Sequence, residues 1–386
     1  MAWLFCIITA LYGIIILFFL IGLFWPTRTR TSKKYRVSVV VAARNEAQNI
    51  GNLLTELQQQ TYPAEWYEVI IVDDGSEDRT AEIVDQFARR DARIRLIQVQ
   101  PDQTPGLIAK KKALNQGIQQ STGEIILSTD ADCHVQPTWI ETMVSYFTDE
   151  VGFVVGFSQL GNPGYRYSLF EGLQAVDFLS LMAAAQGCTN FDFPLAASGQ
   201  NLAYRKEAFL SVGGFEKVKN RVSGDDVLLL QLVRKYTPWK IRFASAHSGF
   251  NWTKPEKTLR AFLNQRKRWA SNGAFQMRLN IIFFMFIFVT FLMNIIAFVG
   301  APIYFWFTHS LLVPLIILGA KFLIEFLLTF KGALVYQRTD LLKYFPLWMV
   351  LQMPYVIFTG LMGSLGRFIW KERRFSQDLT IFRMHA

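Results

Sequence analysis

Three acidic clusters, each set against an apolar run, are the parts of this chain that could do chemistry. The run Val69-Ile70-Ile71-Val72 ends on Asp73-Asp74-Gly75-Ser76, an apolar strand closing on two acids and a turn. A carboxylate there can accept a hydrogen bond from a nucleobase imide, or it can cap the turn. Glu124-Ile125-Ile126-Leu127-Ser128-Thr129 leads into Asp130-Ala131-Asp132, where the first acid closes a strand and the second lies two residues on. Both can then face one bound cation. Mg2+ or Mn2+ prefers oxygen ligands and takes few from protein when a diphosphate supplies the rest. Such an ion would neutralise a departing diphosphate. Asp225-Asp226 precedes the apolar run Val227–Leu230, which puts Asp226 at or near a helix start. It can act there as general base toward an acceptor hydroxyl or as a plain N-cap. A fourth group, Gln265-Arg266-Lys267-Arg268-Trp269, places Gln265, Arg268 and Trp269 on roughly one helix face. Arginine suits diphosphate through its fork of donors, and tryptophan offers a flat platform for a sugar or acceptor. A basic, aromatic interfacial helix is the competing reading.

The elements that must position these residues follow from the spacing of apolar positions. Val37–Ala42, Glu68–Asp73, Ile94–Val99 and Glu124–Asp130 read as strands, while Glu46–Gln59, Arg79–Arg90 and Lys110–Gln119 carry helical spacing. Strands alternating with helices predict an α/β fold, a parallel sheet covered on both faces. Ligands of such sheets bind beyond the carboxyl ends of the strands. That places Arg44–Glu46, Asp73–Asp74 and Asp130–Asp132 along one edge.

The rest of the chain is written for lipid. Of 386 residues, 51% are hydrophobic and 18% charged, against about a quarter charged in ordinary soluble domains. Trp3–Trp25 is uncharged and long enough to span a bilayer. It lacks the basic start and small-residue cleavage site of a signal peptide, so an uncleaved anchor over residues 1–27 with an external N-terminus is expected. Ile281–Phe307 and Leu311–Phe330 form an expected transmembrane hairpin, and Tyr344–Gly363, with Pro346 and Pro354, a third segment lying in the interface or re-entering. The resulting division is an anchor (1–27), a cytosolic domain (36–278), a membrane region (279–366) and a basic tail (367–386). The net charge of +10 concentrates beside these segments: Arg28, Arg30, Lys33, Lys34 and Arg36; Arg260, Arg266, Lys267, Arg268 and Arg278; Arg367, Lys371, Arg373 and Arg374. Such clusters mark a cytoplasmic face and attract anionic membrane lipids, and their placement argues against nucleic acid as a partner. Lys321 and Glu325, one turn apart inside an apolar stretch, can pair on one face. Cys6, Cys133 and Cys188 have neither disulfide nor zinc spacing, and the four histidines show no paired metal spacing.

Taken together, Ala43-Arg44-Asn45-Glu46, Asp73–Ser76, Lys110–Asn115, Asp130-Ala131-Asp132, Gly199-Gln200-Asn201, Asp225-Asp226 and Gln265-x-x-Arg268-Trp269 resemble glycosyltransferase family 2. The membrane arrangement looks like that of its integral members, among them cellulose, hyaluronan and poly-N-acetylglucosamine synthases and ceramide glucosyltransferases. The resemblance implies a GT-A fold, an inverting mechanism and usually a UDP-sugar donor. It puts Arg44 and Glu46 in the first nucleotide loop, Asp74 at the base and Lys110 near the nucleotide or its phosphates. Asp130 would contact the nucleotide-sugar, Asp132 the divalent cation, and Asp226 would be the base. Gln265, Arg268 and Trp269 would engage diphosphate and acceptor. Ala42 and Ala109 replace a proline and a glycine common in the family, and Gly224-Asp225-Asp226 stands where synthases usually show Thr-Glu-Asp. These departures weaken a processive synthase against transfer to a lipid or glycan acceptor. Trp370-Lys371-Glu372-Arg373 resembles an element of some membrane members and favours a cytosolic tail. A non-catalytic scaffold and a transporter are the remaining alternatives, and the acids expected for chemistry are all in place against them.

Overall fold

The computed structural model describes residues 2–25, 30–100, 107–108, 110–162, 164–364, 367–370 and 373–376. Arg28, Ala109, Lys371, Glu372 and the chain beyond Ser376 lie outside the described residues. The chain forms two compact units: Pro26–Tyr165 with Asp192–Lys254, and Met1–Trp25 with Arg166–Phe191 and Pro255–Ala386.

The first unit is built on seven strands: β1 (Val37–Ala43), β2 (Tyr67–Asp73), β3 (Ile94–Gln98), β4 (Ile125–Ser128), β5 (Val151–Gly156), β6 (Leu202–Arg205) and β7 (Lys240–Ala244). Their order is β3-β2-β1-β4-β6-β5-β7. Only β6 runs against the rest. This is the expected α/β sheet of the GT-A fold. Val39–Ala43, Val69–Val72 and Ile125–Leu127 of its central strands are apolar on both faces because helices cover both sides of the sheet. Val37, Val39 and Val41 of β1 share a core with Ile50, Leu53, Leu54 and Leu57 of helix Ile50–Gln58 and with Val84 of helix Thr80–Ala88. Val40 and Val72 point the other way, onto helix Lys110–Gln119. A Cβ on Gly117 of that helix would come within 2.6 Å of Val40 and 2.7 Å of Val72. Only glycine allows so close an approach, and it fixes the helix that begins with Lys110.

Register aligns the functional ends. Ala43 pairs with Asp73, and Val40 with Ser128, so the chain leaves β1, β2 and β4 on one edge. Two expected elements are shorter than their apolar pattern. β4 stops at Ser128, because Asp130 turns the chain by accepting the Cys133 N–H through its carbonyl. The first helix starts at Ile50, because residues 46–49 form a turn closed by Asn49 N–H on the Glu46 carbonyl.

The second unit is helical: α1 (Ala2–Gly22), α2 (Leu169–Asn190), α3 (Leu259–Ala270), α4 (Ile281–Thr308), α5 (Leu312–Val335) and α6 (Phe345–Ser364). Four helices, Ala2–Gly22, Ile281–Thr308, Leu312–Val335 and Thr339–Ser364, are long and apolar enough to cross a membrane. α1 and α2 touch backbone to backbone. A Cβ on Gly22 would lie 2.0 Å from the Gly187 carbonyl oxygen, and one on Gly187 2.0 Å from that of Phe19. Small residues serve this purpose wherever apolar helices pack without a hydrophobic driving force between them. The expected Lys321–Glu325 pair forms at 2.5 Å and is buried. Glu325 also accepts from Tyr12 of α1 and Gln352 of α6, so the pair clasps three helices. In the segment expected as a basic tail, Arg367–Trp370 pairs antiparallel with Arg373–Ser376.

Candidate active site

The two loops leaving β1 and β2 are laced together. Gly75 turns at φ +70° and Asn45 at φ +53°. The Asn45 side chain accepts the Glu77 N–H at 2.9 Å, its own N–H goes to Ser76 Oγ at 3.0 Å, and Glu46 N–H donates to Thr80 Oγ1 at 2.8 Å. The two acids of the second loop divide their work. Asp73 is buried and accepts the Ser76 N–H at 3.2 Å as well as the Ser76 hydroxyl, which is the turn-capping reading. Asp74 keeps a partly exposed carboxylate, while its carbonyl accepts Arg44 Nη1 at 2.6 Å. Arg44 thereby shapes the loop that presents Asp74, and the Glu46 carboxylate accepts from the Asn49 amide at 2.8 Å.

Beyond β4, one ligand atom each from Asp130, Asp132 and Cys133 fall within 4.8 Å of one another. The two carboxylates are partly accessible and the thiol is buried. Burial and the neighbouring Asp132 and Asp130 push the Cys133 thiol well above its usual range. The donors on offer are therefore hard oxygens, which fits Mg2+ or Mn2+ and not a soft metal.

Lys110 bridges this cluster to the next. Its Nζ lies 2.6 Å from Asp130 Oδ1 and 2.9 Å from Asp225 Oδ2. Burial works against its charge, but the two carboxylates more than offset that and hold the ammonium protonated. Asp226 caps helix Val227–Tyr236, its Oδ1 accepting the Val227 N–H at 2.6 Å and its Oδ2 the Gly199 N–H at 2.9 Å. Burial first, then the charge of Asp225, raise its pKa to about 6, while the two N–H groups and Lys110 pull it back. The capping and general-base readings are thus compatible. A carboxylate poised near 6 is ionised at neutral pH and still basic enough to take a proton.

Gly199 is the hub that spacing did not disclose. A Cβ there would lie 3.1 Å from Lys110 Nζ, 3.2 Å from Asp225 Oδ2 and 3.5 Å from Asp226 Oδ2. Its segment is held by Asn201, fully buried, whose amide donates to the Phe157 and Gly249 carbonyls at 2.9 Å each and whose Oδ1 accepts from Trp139 Nε1 at 2.9 Å. Arg44, Glu46, Asp74, Lys110, Asp130, Asp132 and Asp226 all belong to the sheet unit.

Gln265, Arg268 and Trp269 stand on α3 in the helical unit. Gln265 donates to Glu256 at 3.1 Å and accepts from Arg266 Nη1 at 3.1 Å. Trp269 packs against Phe178, with ring centroids 6.0 Å apart, and Arg268 is partly accessible. Arg266, counted by sequence among the cations facing lipid headgroups, is instead buried. It pairs with Asp177 of α2 at 2.5 Å and stacks over the Trp269 ring at 4.2 Å. A basic cluster gives the number of charges near a membrane, but only packing shows which of them face it. The signal for this in the sequence is Asp177, a lone acid in the run Ala175–Ala185 that is otherwise apolar apart from Ser180.

Residues 38–190 match the family described as Glycosyl transferase family 2, and residues 125–362 match Glycosyl transferase family group 2. Glycosyltransferase AglE of Haloferax volcanii is 32% identical over 197 residues, covering 50% of this chain and 59% of the relative. Beta-monoglucosyldiacylglycerol synthase of a Synechocystis species is 35% identical over 254 residues, covering 62% and 48%. The chain thus spans about half to three-fifths of the length of these relatives. Among solved structures, the mannosyltransferase PcManGT from Pyrobaculum calidifontis, in complex with GDP-Man and Mn2+, superposes with a TM-score of 0.60 over 94% of this chain and 98% of that one. At 18% identity this likeness concerns the fold.

Proposed function

Because the chain belongs to glycosyltransferase family 2, we propose that it transfers a sugar from a nucleotide diphosphate donor to a lipid acceptor at the cytosolic face of a membrane. The observation that carries this reading is the cluster at the carboxyl ends of the sheet. Asp226, raised to about 6, is held by Gly199 beside the Lys110–Asp225 pair, and Lys110 reaches on to Asp130. In this reading Arg44, Glu46 and Asp74 hold the nucleoside, and Asp130 and Lys110 meet the donor beyond it. Asp132 would hold a divalent cation, which supplies charge neutralisation to the departing diphosphate. Asp226 takes the proton from the acceptor hydroxyl as its oxygen attacks the anomeric carbon and the bond to the diphosphate breaks on the opposite side. Inversion follows from this single displacement. The family motif assigns Gln265, Arg268 and Trp269 to diphosphate and acceptor.

A lipid acceptor is supported by the likeness to a diacylglycerol-type synthase and by the four membrane-length helices. For orientation we propose an external N-terminus, a cytosolic sheet unit and a cytosolic tail. The packing of α6 supports the last point: Tyr355 lies on Phe262 with ring centroids 5.5 Å apart, and a Cβ on Gly363 would sit 2.7 Å from Ala270. The C-terminal half of α6 thus runs along the basic helix α3, as suits a helix at the interface.

Radiolabelled UDP- and GDP-sugars, offered to purified full-length protein with lipid extract of its own host, test the reading. One sugar appearing on an organic-soluble product is expected. Label in long water-soluble chains would favour a processive synthase, and the absence of any transfer would reject the proposal.

A further inference from the structure

The helical unit contains a cavity of about 500 Å3, walled by α2, α3 and α6, that the reaction as described does not use. Its volume is that of an ordinary small-molecule site. The exposed wall is almost wholly carbon: Leu173, Phe262 and Trp348 form the sides, while Leu259, Leu351 and Phe358 form an exposed apolar rim.

Gln174, Asp177, Gln352 and the Tyr355 hydroxyl also line the cavity, and the hydrogen bonds they make run into its wall. Asp177 accepts from Arg266 Nη2 at 2.5 Å, from Trp348 Nε1 at 3.0 Å and from the Tyr355 hydroxyl. Gln174 bonds the backbone of Glu256 in both directions, at 2.9 and 3.0 Å. Gln352 donates to Glu325. Such a lining offers a polar ligand nothing in return for its lost water, whereas a hydrocarbon loses nothing by entering. Two of the rim residues, Leu351 and Phe358, stand on α6, within one of the helices long and apolar enough to cross a membrane, and exposed apolar surface of this kind suits contact with lipid. Arg260, exposed and next to rim residue Leu259, puts a cation where a headgroup would lie. The same wall is tied to the Gln265–Trp269 segment, because Arg266 joins Asp177 to Gln265.

We propose that this cavity receives one acyl chain of the lipid acceptor, and so holds that acceptor by its tail. The inference rests on the lipid-acceptor reading above. The probe is a diacylglycerol bearing a diazirine near the end of one acyl chain, presented with full-length protein in vesicles of phosphatidylethanolamine and phosphatidylglycerol. After irradiation, peptides containing Phe262 or Trp348 should carry the label, and excess unlabelled long-chain diacylglycerol should compete it away. Leu173→Trp and Leu263→Trp, which fill the cavity, should cut labelling at least fivefold. They should raise the KM for lipid acceptor at least tenfold while leaving nucleotide-sugar binding within twofold. Leu315→Trp, which adds the same bulk on exposed surface of α5, should change neither. Label confined to other helices, or undiminished in both filling variants, overturns the inference. So does equal labelling by phosphatidylglycerol with the same diazirine tail, which would make the cavity a site for bulk lipid. Wall labelling needs no turnover. Labelling as expected without transfer to any lipid would therefore reject the acceptor reading, and transfer without wall labelling would reject the cavity alone.

Discussion

Replacing Asp226 by asparagine should separate its observed capping role from the base role proposed for it. The carboxylate is fixed by backbone N–H groups at 2.6 and 2.9 Å, and its pKa lies at about 6 against an ordinary 3.8. A raised folded-state value means that this group's contribution to stability is intact below about pH 4 and is lost as pH rises through about 6. At neutral pH the cost is at most ~3 kcal/mol, two pKa units at about 1.4 each. Asparagine removes that cost but keeps one oxygen for two N–H donors, forfeiting a charge-assisted bond of about 1.5–3 kcal/mol. The two effects nearly cancel, so Asp226→Asn should fold with a melting temperature close to that of the unaltered protein. Catalysis has no such compensation. Loss of a general base lowers kcat by about 10²–10⁴-fold, or roughly 3–5 kcal/mol in the barrier. Donor affinity, carried by other residues, should stay within a few-fold. The assay is release of nucleoside diphosphate with acceptor present, alongside calorimetric donor binding. The pH profile sharpens it: kcat/KM of the unaltered enzyme should fall below about pH 6, to about a tenth of its plateau at pH 5. Asp225→Asn should move that limb to lower pH, because the Asp225 charge is one of the forces raising Asp226. Transfer by Asp226→Asn above about a tenth of the original rate, or an unchanged acid limb in its residual activity, would refute the assignment.

Asp132→Ala should abolish transfer and weaken donor binding together, and the unaltered enzyme should lose activity in excess chelator and regain it with Mn2+; full activity after exhaustive metal removal would contradict the role given to Asp132. Glu325→Ala should destabilise the helical unit by about 3–5 kcal/mol, because it strands Lys321 as an unpaired buried charge. The double variant Lys321→Met/Glu325→Met should cost much less, and similar unfolding temperatures for the two in detergent would count against the clasp. Single cysteines placed after Arg367, in a chain lacking Cys6, Cys133 and Cys188, should resist a membrane-impermeant thiol reagent on intact cells; labelling without permeabilisation would mean that α6 crosses the membrane.

How much was legible beforehand depended on whether a property is local along the chain. Apolar runs closing on Asp73 and Asp130 marked β2 and β4, since strand formation and its carboxyl-end turn are decided within about ten residues. The same locality placed Asp226 at a helix start and Lys321 opposite Glu325. What spacing left open was which of two chemically equal neighbours does what. Asp73 and Asp74 are identical as letters, and burial made the first a turn cap and left the second accessible. Arg266 and Arg268 are two residues apart on one helix, and only the packing of α2 turned Arg266 inward to Asp177. Local pattern along the chain was enough for β1 to β4 and the helices between them, the membrane-length segments and the inventory of acids, because each rests on chain neighbours, whereas β5, β6, β7 and α2 became visible only in the fold. The tertiary structure alone decided that Gly199 joins Lys110, Asp225 and Asp226, that Asp226 is raised to about 6, and that α2, α3 and α6 enclose a carbon-lined cavity. These depend on distances between residues tens to hundreds of positions apart, and close packing of side chains, not chain proximity, sets those distances.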